Sequence, residues 1–413
     1  MRSILNITCV FAILLAFSCK SSDTELKTGI WRATLKTDSA AEIPFNFEVV
    51  DSLGKKYIYL MNGKERLGVD EISHADDSIF INMPLFDTEI KAKNKGNLLS
   101  GKWIKHLADK DAVMNFEAKY GDDWRFFKAN KSAIPNVSGR WSATFATPDT
   151  GDTTIAVGEF SQENGRLSGT FLTTTGDYRF LEGTVSDSRL YLSSFDGGNA
   201  YLFTGTLVND STIVDGKFYY GPSGIRTWAA RKDEQALLPD AYSLTALKKG
   251  FDRIDFTFPS LDGKDVSITD EKYRNKVVLV QFLGSWCPNC MDETAYLVPF
   301  YNKFNSRGVE IIGLAYERTT DLERSRKNVR RLRDRFNVPY EMLLTGYTNE
   351  KGDVQKSLPM LNNFEAFPTL MIIDKKGVVR KIHTGFSGPG TGKHYDDFVQ
   401  EFEKTINDLL AED

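Results

Sequence analysis

Cysteine and histidine are both scarce in this chain, four of each among 413 residues. The cysteines, at 9, 19, 287 and 290, are too few and too unevenly placed for a disulfide-stapled scaffold. Beyond Cys287 and Cys290, no second Cys or His pair stands at a zinc-ligand spacing. Charge of one sign is lacking too: 52 Lys and Arg against 56 Asp and Glu leave −4, which gives no electrostatic reason to expect nucleic acid as a partner. The apolar run Ile4–Phe17 falls short of the ~20 residues a membrane-spanning helix needs. What is present is 41 % hydrophobic and 26 % charged residues, the composition of a folded globular protein, over a length that calls for two or three domains.

Residues 1–18 have the order of a secretory signal, with a basic start at Arg2, an apolar stretch and the small Ser18. Leu15-Ala16-Phe17-Ser18-Cys19 resembles a bacterial lipobox, in which the cysteine is acylated and becomes the new N-terminus. Phe17 is bulkier than the residue usual at its place, and the alternative is ordinary signal cleavage near Ser18 with Cys19 left free. A lipid on Cys19 would tether the chain through a linker, 19–28, to a bacterial membrane, in the periplasm or cell envelope.

From 29 to 233 the chain alternates apolar and polar residues in short runs, as in Ile43–Val49, Arg189–Leu192 and Ala200–Val208, broken by Gly, Asn and Asp. Period-two alternation with turn residues every ten positions or so predicts antiparallel strands with one buried face. The stretch also repeats. Gly29-Ile30-Trp31-Arg32-Ala33-Thr34-Leu35 aligns with Gly139–Phe145, 110 positions later. Asp77-Ser78 meets Asp187-Ser188, Phe86-Asp87 meets Phe195-Asp196, and Gly101-Lys102-Trp103 meets Gly216-Lys217-Phe218. Four landmarks in one order predict two copies of an all-β module, at 29–130 and 139–233, each of about eight strands folded as a barrel or a sandwich. Trp31, Trp103 and Trp141 are expected to plug the ends of their modules. His74 and His106 stand alone and read as surface or strand-end residues.

Beyond Phe251 the pattern changes. Val277–Leu283, Val309–Ala315 and Thr369–Ile373 are continuous apolar runs, the signature of strands buried on both faces. Helical patterns at 291–306, 321–336 and 394–411 lie between and after them, predicting an α/β domain over 251–413. Gly284-Ser285-Trp286-Cys287-Pro288-Asn289-Cys290 follows the first of these strands and opens a helix. At a helix N-terminus the first thiol sits by unpaired N–H groups and the positive dipole end, which favours thiolate, and Pro288 needs no donor there. Cys287 is then the attacking sulfur and Cys290 the resolving one, paired as a disulfide between cycles. Half a zinc site and a purely structural disulfide are the alternatives; the first lacks partner ligands, and a two-residue loop gains little by closing.

These residues resemble the TlpA/ResA-like thioredoxin family of bacterial extracytoplasmic thiol-disulfide oxidoreductases. Val277–Cys290 is similar to the family's strand and Trp-Cys-x-x-Cys turn, and Phe367-Pro368-Thr369 to the loop whose proline is cis and packs against the disulfide. The resemblance implies that Glu293, three residues after Cys290, is a buried carboxylate passing protons to and from the cysteine pair; the alternative is a solvated first-turn carboxylate. It implies that Trp286 and Phe367 flank an exposed Cys287 sulfur and give an extended substrate an apolar rest. It also implies protein thiol or disulfide substrates, a membrane or periplasmic electron donor, and no cofactor beyond the disulfide. Reductant rather than oxidant is the expected direction, set by a potential that Pro288 and Asn289 tune. Gln281 departs from the Asn common in the family's strand. The β-modules lie outside the family core, as in Bacteroidetes-type lipoprotein members, and the resemblance assigns them no activity.

Two other functions stay open: a binding protein whose β-modules recognise a glycan, lipid or protein, with the redox domain auxiliary, and a peroxiredoxin-like peroxidase. The second would want Pro and Thr leading to the reactive cysteine, where Ser285-Trp286 stand. Ser387–His394 fails the phosphate-loop pattern at both ends and reads as a glycine-rich turn. The arginines of 323–336 read as a solvated helix face, with a docking surface as the alternative.

Overall fold

The computed structural model describes residues 25–107, 109–128 and 135–412. The signal segment, Cys19 and part of the link between the modules lie outside them. Two antiparallel all-β modules precede a thioredoxin-like domain.

The alternating runs become strands with alternate residues inward. In Gly29–Lys36, Trp31, Ala33 and Leu35 are buried; in Gly139–Ala146, Trp141, Ala143 and Phe145 are. Among the described residues each module has nine strands, close to the eight or so expected, and the two sheets differ in closure. In the second, Thr153–Glu163 pairs with both Gly139–Ala146 and Arg166–Thr173, and Arg166–Thr173 pairs on with Leu181–Ser186. The sheet returns to its start and forms a barrel. The first sheet is open, its edges Glu65–Val69 and Glu71–Ala75 being consecutive in the chain.

The barrel interior is packed with Phe145, Phe171, Phe203, Phe218 and Trp228, and the Phe203 and Phe218 rings stack 4.2 Å apart. The first module's core runs on into the second through Phe195, Ala200 and Leu202. All three landmark tryptophans are buried. Trp31 and Trp141 play matching parts, each indole N–H donating to a carbonyl four residues back, Lys27 at 3.0 Å and Val137 at 2.9 Å. Trp103 does more than plug its own module, because its N–H donates to Gly197 O of the second, at 2.9 Å.

The C-terminal domain is built on a five-stranded sheet in the order Glu341–Thr348, Val309–Glu317, Val277–Leu283, Thr369–Ile373, Val379–Thr384. The first three are parallel, and the last two run against their neighbours. The helices are α1 (Pro288–Phe304), α2 (Leu322–Phe336), α3 (Lys351–Ser357) and α4 (Lys393–Ala411). Helix α1 starts three residues before the apolar pattern does, because Cys287 caps it and Pro288 takes the first turn. The arginine-rich face of α2 is not simply solvated. Arg324 and Arg331 face Asp87 of the first module at 3.6 and 3.7 Å, and Arg335 donates to Gly68 O at 3.0 Å. The docking surface faces the chain's own β-module. Among the described residues no helix is long and apolar enough to cross a membrane.

Candidate active site

The buried strand Val277–Leu283 ends at Gly284, and the chain turns through Ser285-Trp286 into α1. Cys287 and Cys290 are joined as a disulfide, Cα atoms 5.3 Å apart. Cys287 caps α1, and its sulfur accepts from the Cys290 N–H at 3.2 Å, so a thiolate there would face a backbone donor and the positive helix end. Phe282 pairs with Thr369, which sets the loop before that residue at the same end of the sheet as the redox turn. The Phe367–Pro368 peptide is cis, Thr369 Oγ1 donates to Ala366 O at 2.7 Å, and Pro368 O accepts from Gly385 N at 2.8 Å. The Trp286 and Phe367 rings meet edge to face, 5.5 Å apart. Trp286, Cys287, Pro288, Cys290, Phe367, Pro368 and Thr369 therefore come together.

One expectation is corrected. Cys287 is only 4 % exposed, so Trp286 and Phe367 do not flank an open sulfur. Cys287 belongs to the buried core of its own domain, and the second β-module lies against the next residues of the turn: its Arg179 donates to Pro288 O at 3.3 Å and pairs with Asp292 at 2.6 Å and with Glu65 of the first module at 2.5 Å. Burial works against the Arg179 charge, but Asp292, Glu65 and Asp196 outweigh it and hold the guanidinium protonated. Burial also lifts Asp292 to about 7 against the pull of Arg179.

Two further buried carboxyls adjoin the turn. Glu293, on α1, is wholly buried, so it is not a solvated first-turn carboxylate. Burial pushes it up to about 8, and a single strong hydrogen bond, from Gln281 Nε2 at 2.9 Å, opposes the shift. Its Oε1 has no hydrogen-bond partner among the described residues. Being three residues apart, Cys290 and Glu293 share one face of α1. Glu317, at the end of Val309–Glu317, accepts from Ser285 N at 2.7 Å and Ser285 Oγ at 2.6 Å. Burial raises its pKa while those two bonds lower it. Next to it Tyr316 O takes the Trp286 indole N–H at 2.9 Å, and Arg318 lies over the Trp286 ring. The strand end Tyr316-Glu317-Arg318 thus holds the dipeptide before Cys287.

Gln281, Ser285, Glu317 and Arg179 were not singled out from sequence for these parts. Gln281 had a signal, as the one polar residue in the run Val277–Leu283. Arg179 had none, since its partners lie more than a hundred positions away. Among the described residues no cluster of three or more His, Cys, Asp or Glu is arranged to hold a metal ion. Cys19 lies outside the described residues.

Residues 249–398 match the Redoxin family. The chain is 30 % identical over 141 residues to the thiol-disulfide oxidoreductase ResA of Geobacillus thermodenitrificans, covering 34 % of this chain and 72 % of that protein. It is 27 % identical over 139 residues to the thioredoxin-like protein YneN of Bacillus subtilis, covering 34 % and 73 %. Among solved structures, the thioredoxin domain of a thiol-disulfide oxidoreductase from Bacteroides vulgatus aligns at 24 % identity over 38 % of this chain and 99 % of that one, with a TM-score of 0.28.

Proposed function

The chain belongs to the ResA-like family of thiol-disulfide oxidoreductases, and on that premise we propose that it reduces disulfides in protein substrates outside the cytoplasm, with Cys287 as nucleophile, Cys290 as resolving thiol and Glu293 as proton carrier. The observation that carries this assignment is the Cys287–Cys290 disulfide at the start of α1, with the buried Glu293 carboxyl one turn further on. In the reduced protein the Cys287 thiolate attacks one sulfur of a substrate disulfide. A mixed disulfide forms and a substrate thiolate leaves. Cys290, deprotonated, then attacks Cys287 Sγ, which closes the Cys287–Cys290 disulfide and releases the second substrate thiolate. Two electrons pass from the protein to the substrate, and a dithiol donor restores them. Glu293 takes the Cys290 proton as the thiolate forms and returns it on re-reduction, a task suited to a carboxyl at about 8.

The signal-like 1–18 and Cys19 support a lipid-anchored place in the cell envelope. A ligand inside the second barrel would compete with the aromatic side chains that fill it, which favours catalysis over binding.

Two measurements test this function. Equilibration with a thiol–disulfide buffer should place the pair near the ~−270 mV of a reductant, and a value near ~−120 mV would reverse the direction. Glu293→Gln should remove the limb near pH 8 from the profile of disulfide reduction. The same substitution has a stability signature. Folded Glu293 stays protonated up to about 8 while the unfolded group ionises from about 4.5, so wild-type stability falls as pH rises between those values. Between pH 5 and 8 that loss is on the order of 4 kcal/mol relative to Glu293→Gln in chemical denaturation. Matching slopes and matching rate profiles would remove Glu293 from the proton path.

A further inference from the structure

The second module meets the redox turn through one small feature. Arg166–Thr173 turns at Thr174-Thr175 and runs back through Gly176–Asp177 to Arg179. Gly176 has φ +128, and a Cβ there would collide with the Asn289 amide and lie 2.7 Å from Phe386 O. Thr174 O crowds Gly385 in the same way, at 2.9 Å. Asp177 accepts from Gly388 N at 2.9 Å, and Arg179 bonds Pro288 O and Asp292. The segment 174–179 therefore lies over Pro288-Asn289, the dipeptide between the cysteines, and over the loop 385–390. The glycines that resembled a phosphate loop have a place here: a Cβ at Gly388 would lie 2.7 Å from Asp292, and one at Gly390 3.2 Å from the Arg179 backbone.

A disulfide in a folded protein can reach Cys287 only along a polypeptide segment laid beside the redox turn, because exchange needs the attacking sulfur in line with the bond it breaks. With 174–179 in place, Pro288-Asn289 is covered on that side and Cys287 is 4 % exposed. The seat on the redox domain is made of a few polar contacts and close-packed glycines, with one guanidinium at its centre, while Tyr178 of the same segment packs on Phe203 and Phe218 inside the barrel, so the segment lifts together with the barrel. Interfaces of that kind between parts of one chain separate more readily than shared apolar cores.

We propose that the segment 174–179 is a gate over the redox pair: it occupies the surface a substrate polypeptide must take, Arg179 latches it to Pro288 and Asp292, and exchange proceeds only after it lifts. The proposal rests on the assignment of Cys287 as the reacting thiol. The β-modules are then the part of the enzyme that decides which polypeptides reach the sulfur.

The test reads access directly, apart from turnover. In the full chain carrying Cys290→Ala, the rate at which a polyethylene-glycol maleimide labels Cys287 is followed by mass spectrometry. Two substitutions disturb the gate from the β-module side: Gly176→Val wedges it away from Asn289, and Arg179→Met removes the latch. Both should label Cys287 about tenfold or more faster than the parent. Iodoacetamide, being small, should show a lesser gain. Labelling of the parent within about twofold of a cooperatively folded Gly176→Val protein would overturn the gate. If Arg179→Met does not fold, the parent still decides: with a gate, its labelling rate levels off as maleimide concentration rises, at the rate of opening, or stays about tenfold below Gly176→Val at every concentration. Faster labelling in proteins that never form a mixed disulfide with substrate would keep the gate and discard the catalytic assignment.

Discussion

The two β-modules share one repeat and finish as different objects. Both start on a strand with the same buried Trp-x-Ala-x-apolar face, and both turn early through a pair of positive-φ residues, Leu53-Gly54 and Asn164-Gly165, as right-twisted hairpins require. The second closes because Arg166–Thr173 finds a partner on each side. The first stops short, and its free edge meets other parts of the chain. Gly63 N donates to Glu182 at 2.9 Å, Glu65 pairs with Arg179, and Gly68 O takes Arg335. A closed barrel can bury its apolar side chains alone, whereas an open sheet offers a backbone edge by which it attaches to a neighbour. A repeat thus specifies strands and turns, while closure depends on what the last edge meets.

That contrast can be broken most severely at Phe195. It belongs to the second module by sequence, yet its ring lies 4.3 Å from Phe45 within the first module's core. Phe195→Ala should cost about 3–5 kcal/mol. Denaturation should show both modules losing structure in one shifted transition; a shift confined to the second would mean that the cores are separate. A smaller effect comes from the matched tryptophans. Trp31→Phe and Trp141→Phe each give up one indole hydrogen bond and some volume, about 1–2 kcal/mol apiece and nearly equal if the repeat works the same way in both places. Unequal costs would show that the shared motif has diverged. Least is expected from Asp87→Asn, which weakens the part-exposed pairs with Arg324 and Arg331 by less than about 1 kcal/mol and more at low salt than at high.

What could be read in the sequence were the features made by neighbours along the chain. The strand, turn and helix around Cys287, the hairpin rhythm of 29–233 and the 110-residue repeat are local patterns, and the structure contains them. The burial of Glu293 and the cis bond before Pro368 were implied by family resemblance rather than by pattern, and both are present. Contacts across the fold were not legible. Arginines at helical spacing look solvated until Asp87 stands opposite, and Arg179 looks like any strand-end cation until Pro288 and Asp292 lie beside it. The open sulfur expected of Cys287 is absent too, since the sulfur's residue belongs to the buried core of its domain, and the segment beside Pro288 comes from a part of the chain more than a hundred residues earlier.

The central claim is that Cys287 attacks substrate disulfides and Cys290 resolves them. Its most direct test is mass spectrometry of Cys290→Ala and Cys287→Ala chains, each reduced and mixed with insulin. A stable mixed disulfide through Cys287 in the first variant, with none and no turnover in the second, is the predicted result. An adduct through Cys290 in Cys287→Ala, or equal residual turnover in both, would contradict the account.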